Sequence, residues 1–308
     1  MASLHICDAH THFFSRQFFD LLAEQAAEAR GLSGVSAEGI LPPVLEQTGI
    51  ELPDPAPRKH AERWLAELDR HGVEKAVSFA SLPGEAEAVR EACASSGGRL
   101  LPFLLVDPTS AAGVDTGRRA LAEKGFRGVL LFPAIQKFDP ADSSLTPLYE
   151  EAAARRAPVI IHCGILAIKL RDLLGLRPSY DLRHANPLAI IAAAERHRET
   201  SFIIPHFGGG FLREALIAGA QSPNIFLDTS SSNSWTSVEG ITLEEVFRRA
   251  LAVFGPRRIV FGTDSSTFPR GWRADILAEQ RRIITAIGLN AADEARIFGD
   301  NLRELLEL

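Results

Sequence analysis

The sequence predicts an α/β fold, a (β/α)8 barrel of the TIM type with an insertion between strand 1 and strand 2. Three observations predict it. Eight short apolar runs recur along the 308 residues, helix-like segments separate most of them, and a histidine or aspartate closes several of the runs. Near-continuous runs of Val, Ile, Leu and Phe suit strands buried on both faces, as in a parallel sheet covered by helices. Eight strands alternating with helices fit a closed barrel better than a doubly wound sheet. One such barrel accounts for the length, so residues 1–308 are read as a single domain.

The first apolar run, residues 4–7, closes with Asp8-Ala9-His10-Thr11-His12. Strand alternation would put Asp8, His10 and His12 on one face. Two imidazoles side by side can chelate a metal through neutral nitrogens, although a lone His-x-His also suits a solvated loop. More than 60 residues then precede the second run. Residues 31–57, rich in Gly, Pro and Ser, read as a lid or cap over the barrel mouth, or else as a surface excursion. Residues 60–71 read as the helix that feeds the second strand, 75–80.

The remaining strands are read at 100–106, 127–132, 158–162, 201–204, 224–228 and 258–262. Helices at 85–95, 114–124, 146–156, 187–196, 243–254 and 273–287 are rich in the helix formers Ala, Leu, Glu and Arg. Gly72, Gly125 and Pro158 punctuate the joins.

Bulk properties exclude several function classes. The net charge of −6 with no long basic run argues against nucleic acid as a partner. Cys7, Cys93 and Cys163 form no CxxC pattern and are odd in number, so no disulfide framework and a reducing cytoplasm are expected. The beginning of the chain lacks the basic-then-apolar pattern of a secretion signal. No run of about 20 apolar residues is present to span a membrane.

Active sites of such barrels lie at the C-terminal ends of the strands. His162 ends the fifth run, His206 follows the sixth ahead of Gly208-Gly209-Gly210, and Asp264 follows the eighth. Together with His10 and His12 they converge on one rim and read as a metal site.

These segments resemble the amidohydrolase superfamily, in particular the amidohydrolase-related branch that contains aminocarboxymuconate-semialdehyde decarboxylase. The resemblance is carried by Asp8-Ala9-His10-Thr11-His12, Phe126-Arg127-Gly128-Val129 with Phe138-Asp139-Pro140, and Ile161-His162-Cys163-Gly164. Pro205-His206-Phe207-Gly208-Gly209, Phe261-Gly262-Thr263-Asp264 and Ile297-Phe298-Gly299-Asp300-Asn301 complete it. It implies one divalent metal, zinc with manganese as the alternative, held by His10, His12, His162 and Asp264. His206 would stand beside the metal as an acid/base, Asp264 would share in proton transfer, and Asp8 would support the ligands' orientation. Binuclear members carry a lysine on the fourth strand; here that strand reads Val129-Leu130-Leu131-Phe132, with Lys137 beyond it, so a second metal is not expected.

The same ligands serve two reactions. One is hydrolysis of a small cyclic or carboxylated compound by metal-activated water; the other is non-oxidative decarboxylation of an aromatic or unsaturated acid. Hydrolysis is the first reading and decarboxylation the second, followed by a metal-independent lactonase and a non-catalytic barrel. Phe132, Arg177, Trp235 and Arg273 are the named substrate contacts, with Arg16, Arg171, Arg183, Arg213 and Arg270 as further candidates for a carboxylate and Trp272 as a further pocket wall or packing residue. Cys163 reads as a small buried hydrophobe. The Gly208-Gly209-Gly210 run reads as permitting close packing around the site. The branch also implies a homodimer.

Overall fold

A computed structural model describes residues 4–32, 37–230 and 235–308. Among them eight parallel strands follow one another around a barrel in sequence order. They are β1 (Ile6–His12), β2 (Val73–Ala80), β3 (Leu100–Leu105), β4 (Gly128–Leu131), β5 (Val159–Ile161), β6 (Phe202–Ile204), β7 (Ile225–Asp228) and β8 (Ile259–Val260). Backbone bonds between β1 and the segment after β8 bring the two edges together: Ala9 N–H to Phe261 O, Asp264 N–H to His10 O and His12 N–H to Ser265 O, each 2.8 Å. Every expected run contains a strand. The first differs most, because β1 extends through the polar pentad that the sequence reading placed at its end. Backbone pairing on both sides keeps those residues extended.

The strand faces form two cores. Val77, Phe79, Leu101, Phe103, Leu130, Ile160, Ile203 and Val260 fill the barrel interior, and Leu302 and Leu306 of the C-terminal helix Asn301–Leu306 join them from below. The alternate residues, among them Val129, Leu131, Val159, Phe202 and Leu227, pack outward against the helices. Each buried aliphatic or aromatic side chain of this kind contributes roughly 1.5–3 kcal/mol.

One expectation about β1 is corrected. From Asp8 to Thr11 the strand uses three residues where β2, from Ala76 to Ser78, uses two. This bulge reverses the alternation. Cys7 and Ala9 belong to the interior core, and beyond the bulge the rings of His10 and His12 lie 4.8 and 5.2 Å from that of the interior residue Phe79. Asp8 is out of phase with them and faces Thr263 and Trp272 of the β8 side.

The long β1–β2 connection is more ordered than its composition suggests. Arg16–Ala29 is a helix that the sequence reading did not anticipate; its N-cap Ser15 accepts from Phe18 N–H. Its buried positions Phe18, Phe19, Leu22, Ala23, Ala26 and Ala27 repeat at helical spacing. They form a third apolar cluster with Ile40 of the short helix Ala37–Ile40, Val44 of the short helix Pro42–Thr48 and Leu41 between them, and with Leu170 and Leu174 of the β5–β6 connection. Within 31–57, residues 33–36 lie outside the described residues. Glu51 N–H donates to Phe268 O at 2.9 Å, tying the insertion to the loop after β8. The helix expected at 60–71 runs from Pro57 to His71.

Candidate metal centre

Three side chains whose donor atoms lie within 4.8 Å of one another gather at the C-terminal rim: His10, His12 and Asp264. Each imidazole is held by its Nδ1. His10 Nδ1 meets Asp228 Oδ2 at 2.6 Å, and His12 Nδ1 meets Ser81 Oγ at 2.7 Å. That leaves Nε2 of both rings facing Asp264 Oδ1, at 3.8 and 3.3 Å. Donor atoms at the corners of a tetrahedron with bonds of about 2.0–2.1 Å are about 3.3–3.4 Å apart; the His12 separation has that spacing and the His10 separation is somewhat wider. Asp264 itself adopts a left-handed φ of +57°, unusual for a residue with a Cβ.

His162 stands beside this trio and outside it. Its ring is 5.2 Å from that of His206 and 5.0 Å from that of Phe132. Its Nδ1 is buried without a hydrogen-bond partner among the described residues, which fits a nitrogen that would bind a cation. His206 follows β6, also at a left-handed φ of +57°, with its ring 4.7 Å from that of His10. The Ser230 carbonyl and hydroxyl oxygens both lie 2.9 Å from His206 Nδ1. A carbonyl only accepts, so Nδ1 carries the proton and Nε2 the lone pair.

Electrostatics separates these groups. Burial lowers the pKa of His12, of His206 and, most strongly, of His162, which the neighbouring His206 and His10 push down further. These imidazoles are therefore neutral and able to donate to a metal. Burial acts on His10 in the same direction, but the Asp228 carboxylate outweighs it and the net pKa is raised. Against the opposing effect of burial, the histidines around Asp264 hold its carboxyl well below the usual range.

Asp228 and Ser81 are the functional residues that sequence reading missed. Asp228 ends the run Ile225-Phe226-Leu227 as His162 ends its own, so the strand-end rule that found the other residues would have found it too. It also accepts Ser230 N–H at 2.6 Å and Ser230 O–H at 2.9 Å. Gly262 makes room for this arrangement: a Cβ there would lie 2.5 Å from Asp228 Oδ1 and 2.8 Å from His10 Cβ. Ser81 carries no signal beyond following β2. Asp8 reaches the site through the backbone. It accepts His10 N–H at 2.9 Å and Thr263 N–H at 3.1 Å, and Trp272 Nε1–H donates to it at 2.7 Å. The glycine run after His206 lies against Gly164, where a Cβ would sit 2.2 Å from Gly209 O, and Cys163 is buried with a raised pKa.

The expected substrate contacts scatter. Phe132 borders His162. Arg273 pairs with Asp275 at 2.6 Å, and Arg270 donates to Ser266 Oγ at 2.8 Å; both guanidinium groups feel the Asp264 charge. Arg177 is exposed on the β5–β6 connection. Trp235 is 1% exposed and packs in the outer core beside Phe207. Trp272 likewise packs against Phe261, and its indole serves Asp8. Arg16 pairs with Asp20, Arg183 with Asp181 and Arg213 with Glu214, while Arg171 donates to Leu176 O and Gln25 Oε1.

A family model described as Amidohydrolase matches residues 7–308. Search of curated proteins gives no match. Among solved structures, 5-carboxyvanillate decarboxylase from Sphingomonas paucimobilis is similar at 15% identity and a TM-score of 0.67, covering 99% of this chain and 100% of that one. A 5-carboxyvanillate decarboxylase from Novosphingobium aromaticivorans, carrying manganese and a nitrobenzoic acid, matches at 16% identity and a TM-score of 0.67, with 99% and 98% covered. An amidohydrolase from Burkholderia multivorans with bound zinc matches at 15% identity and a TM-score of 0.58, with 99% of each chain covered. At such identities the likeness establishes a shared fold.

Proposed function

The chain belongs to the amidohydrolase family, whose model spans nearly all of it, and from that premise we propose a mononuclear metal-dependent hydrolase acting on a small cyclic or carboxylated compound. His10, His12 and Asp264 would hold one divalent ion, with His162 as the fourth ligand from the side. Zinc suits three imidazoles and a carboxylate; the structural neighbours with zinc and manganese support one divalent ion of either kind. When bound, such an ion supplies a Lewis acid that polarises a carbonyl and lowers the pKa of a bound water.

One observation carries the choice of hydrolysis. His206 presents a bare Nε2 beside the trio, with Nδ1 committed to Ser230 and the ring neutral. A neutral imidazole is poised to take a proton from water and return it to a leaving group. Asp264, ionised, stabilises the imidazolium formed at that moment. Phe132 offers an apolar wall beside His162, and Arg270 or Arg273 would receive a substrate carboxylate near Asp264. We assign the insertion 31–57 the role of a cap, supported by its tie to the loop after β8.

The test is His206→Asn on protein loaded with zinc. Hydrolysis of a responsive lactone or amide should fall roughly 10²–10⁴-fold, while metal content stays at the wild-type value, expected to be one ion per chain. Loss of metal together with activity would make His206 a ligand and remove the base from this reading. Full wild-type activity after chelation would point to metal-independent lactonase chemistry, and turnover on no substrate class to a non-catalytic barrel.

Decarboxylation is the second reading. It is supported by the two arginines that feel the Asp264 charge and by the two decarboxylase neighbours. Release of carbon dioxide from an aromatic acid, with no hydrolysis of esters or lactones, would select it. The three free, buried cysteines support a reducing cytoplasm. The proposed homodimer is checked by light scattering.

A further inference from the structure

We infer that Ser81 and Glu85 are positioning residues that set the donor atom of His12, an inference that rests on the metal site proposed above. Glu85 lies in the short turn Pro83–Glu85 after β2 and is fully buried. Among the described residues no cation pairs with it. Its two oxygens instead staple two loops. Oε1 accepts both the N–H of Ser15, at 2.6 Å, and its hydroxyl, at 2.8 Å; Oε2 accepts the N–H of Ser81 at 2.8 Å.

One of these serines follows His12 along the chain and the other meets its ring. Ser15 lies three residues beyond His12 and caps the helix Arg16–Ala29. Ser81 is the residue whose Oγ meets His12 Nδ1 at 2.7 Å. One carboxylate thereby fixes both the chain that carries the imidazole and the hydroxyl that holds its far nitrogen.

The chemical consequence is a fixed ring orientation. The Ser81 hydroxyl holds Nδ1, so Nε2 is the nitrogen that faces Asp264; once a cation takes the Nε2 lone pair, the ring proton sits on Nδ1 and Ser81 Oγ accepts it. Without the hydroxyl the ring is free to rotate. A buried carboxyl with no cation is a costly way to join two loops. Burial raises its pKa to about 7. A hydrophobic pair would join the loops without that cost, but could not direct the Ser81 backbone and thereby its hydroxyl.

The experiment titrates Co²⁺ into metal-stripped wild type, Ser81→Ala, Ser81→Thr, Glu85→Gln and the Ser81→Ala/Glu85→Gln double variant. Affinity is read by chelator competition and ligand geometry by the Co²⁺ absorption spectrum. Ser81→Ala and Glu85→Gln should each weaken Co²⁺ binding roughly 10–100-fold and alter the spectrum. Ser81→Thr, which keeps the hydroxyl, should restore both. The double variant should lose less affinity than the two single losses multiplied together, because part of the Glu85 effect passes through Ser81.

A Glu85→Gln protein that melts earlier but keeps wild-type affinity and spectrum overturns the inference, as does full additivity in the double variant. If Glu85→Gln does not fold, the serine pair decides: wild-type affinity in Ser81→Ala overturns it. Wild-type protein that takes up no Co²⁺ or zinc overturns the metal site itself, an outcome distinct from altered variants in a wild type that binds.

Discussion

Asp228 holds His10 by its Nδ1, and replacing the carboxylate by an amide can turn that bond around. In Asp228→Asn, an NH2 directed at the ring would oblige Nδ1 to accept and move the proton to Nε2, the nitrogen meant for the metal. Zinc affinity should fall roughly 10–100-fold, checked by chelator competition on folded protein; unchanged affinity would mean that His10 needs no such partner. The residue scale also shows how much of a site is invisible in a linear chain. His10, His12, His162, His206 and Asp264 were legible because each follows or closes an apolar run, where a polar group calls for explanation. Ser81 was not, because only the fold brings it to His12, 69 residues away in sequence.

At the scale of elements, β1 is organised by its bulge and by Asp8. The bulge turns His10 and His12 inward while Asp8 turns out to tie β1 to the chain after β8. Asp8 accepts from four donors: two backbone N–H groups, the Thr263 hydroxyl and the Trp272 indole. An amide cannot accept from all of them, so Asp8→Asn should cost about 1–3 kcal/mol in urea denaturation. The helix Arg16–Ala29 is a second test at this scale. Its Leu22 is fully buried in the cluster shared with the insertion, and Leu22→Ala should cost about 2–5 kcal/mol. A loss under 1 kcal/mol would show that this cluster is loosely packed. The helix was open to a periodicity reading. The Gly- and Pro-rich composition of the neighbouring stretch drew the sequence reading towards irregular structure instead.

The whole molecule carries a pH dependence traceable to a buried imidazole outside the site. His60 is buried against Phe13, with its Nε2 2.9 Å from the Phe13 carbonyl oxygen. Burial lowers its pKa from 6.5 to about 4. The folded chain thus binds this proton less tightly than the unfolded chain. The stability it confers is full above about pH 6.5 and lost as the pH falls towards about 4, by up to about 3 kcal/mol. In metal-stripped protein His60→Gln should reduce the slope of the stability curve across that window, the buried His12, His162 and His206 supplying the rest; an unchanged slope would place the titration elsewhere. Metal binding acts on the same global equilibrium. Zinc at 100 times its dissociation constant should add about 2.7 kcal/mol to stability, and chelation should remove it, seen as a shift in thermal midpoint.

The sequence by itself determined the barrel, the order of its strands and the rim at which the polar side chains gather. Strands buried on both faces must be apolar, so each polar residue at a strand end stands out against its run. Tertiary structure decided what alternation alone could not. It placed one extra residue in β1, which separated Asp8 from the histidines it adjoins. It brought Asp228 and Ser81 to the two Nδ1 atoms, and it buried Trp235 in the outer core rather than leaving it in a loop. These outcomes depend on contacts between segments far apart in the chain, and local patterning carries no record of which distant side chain will arrive.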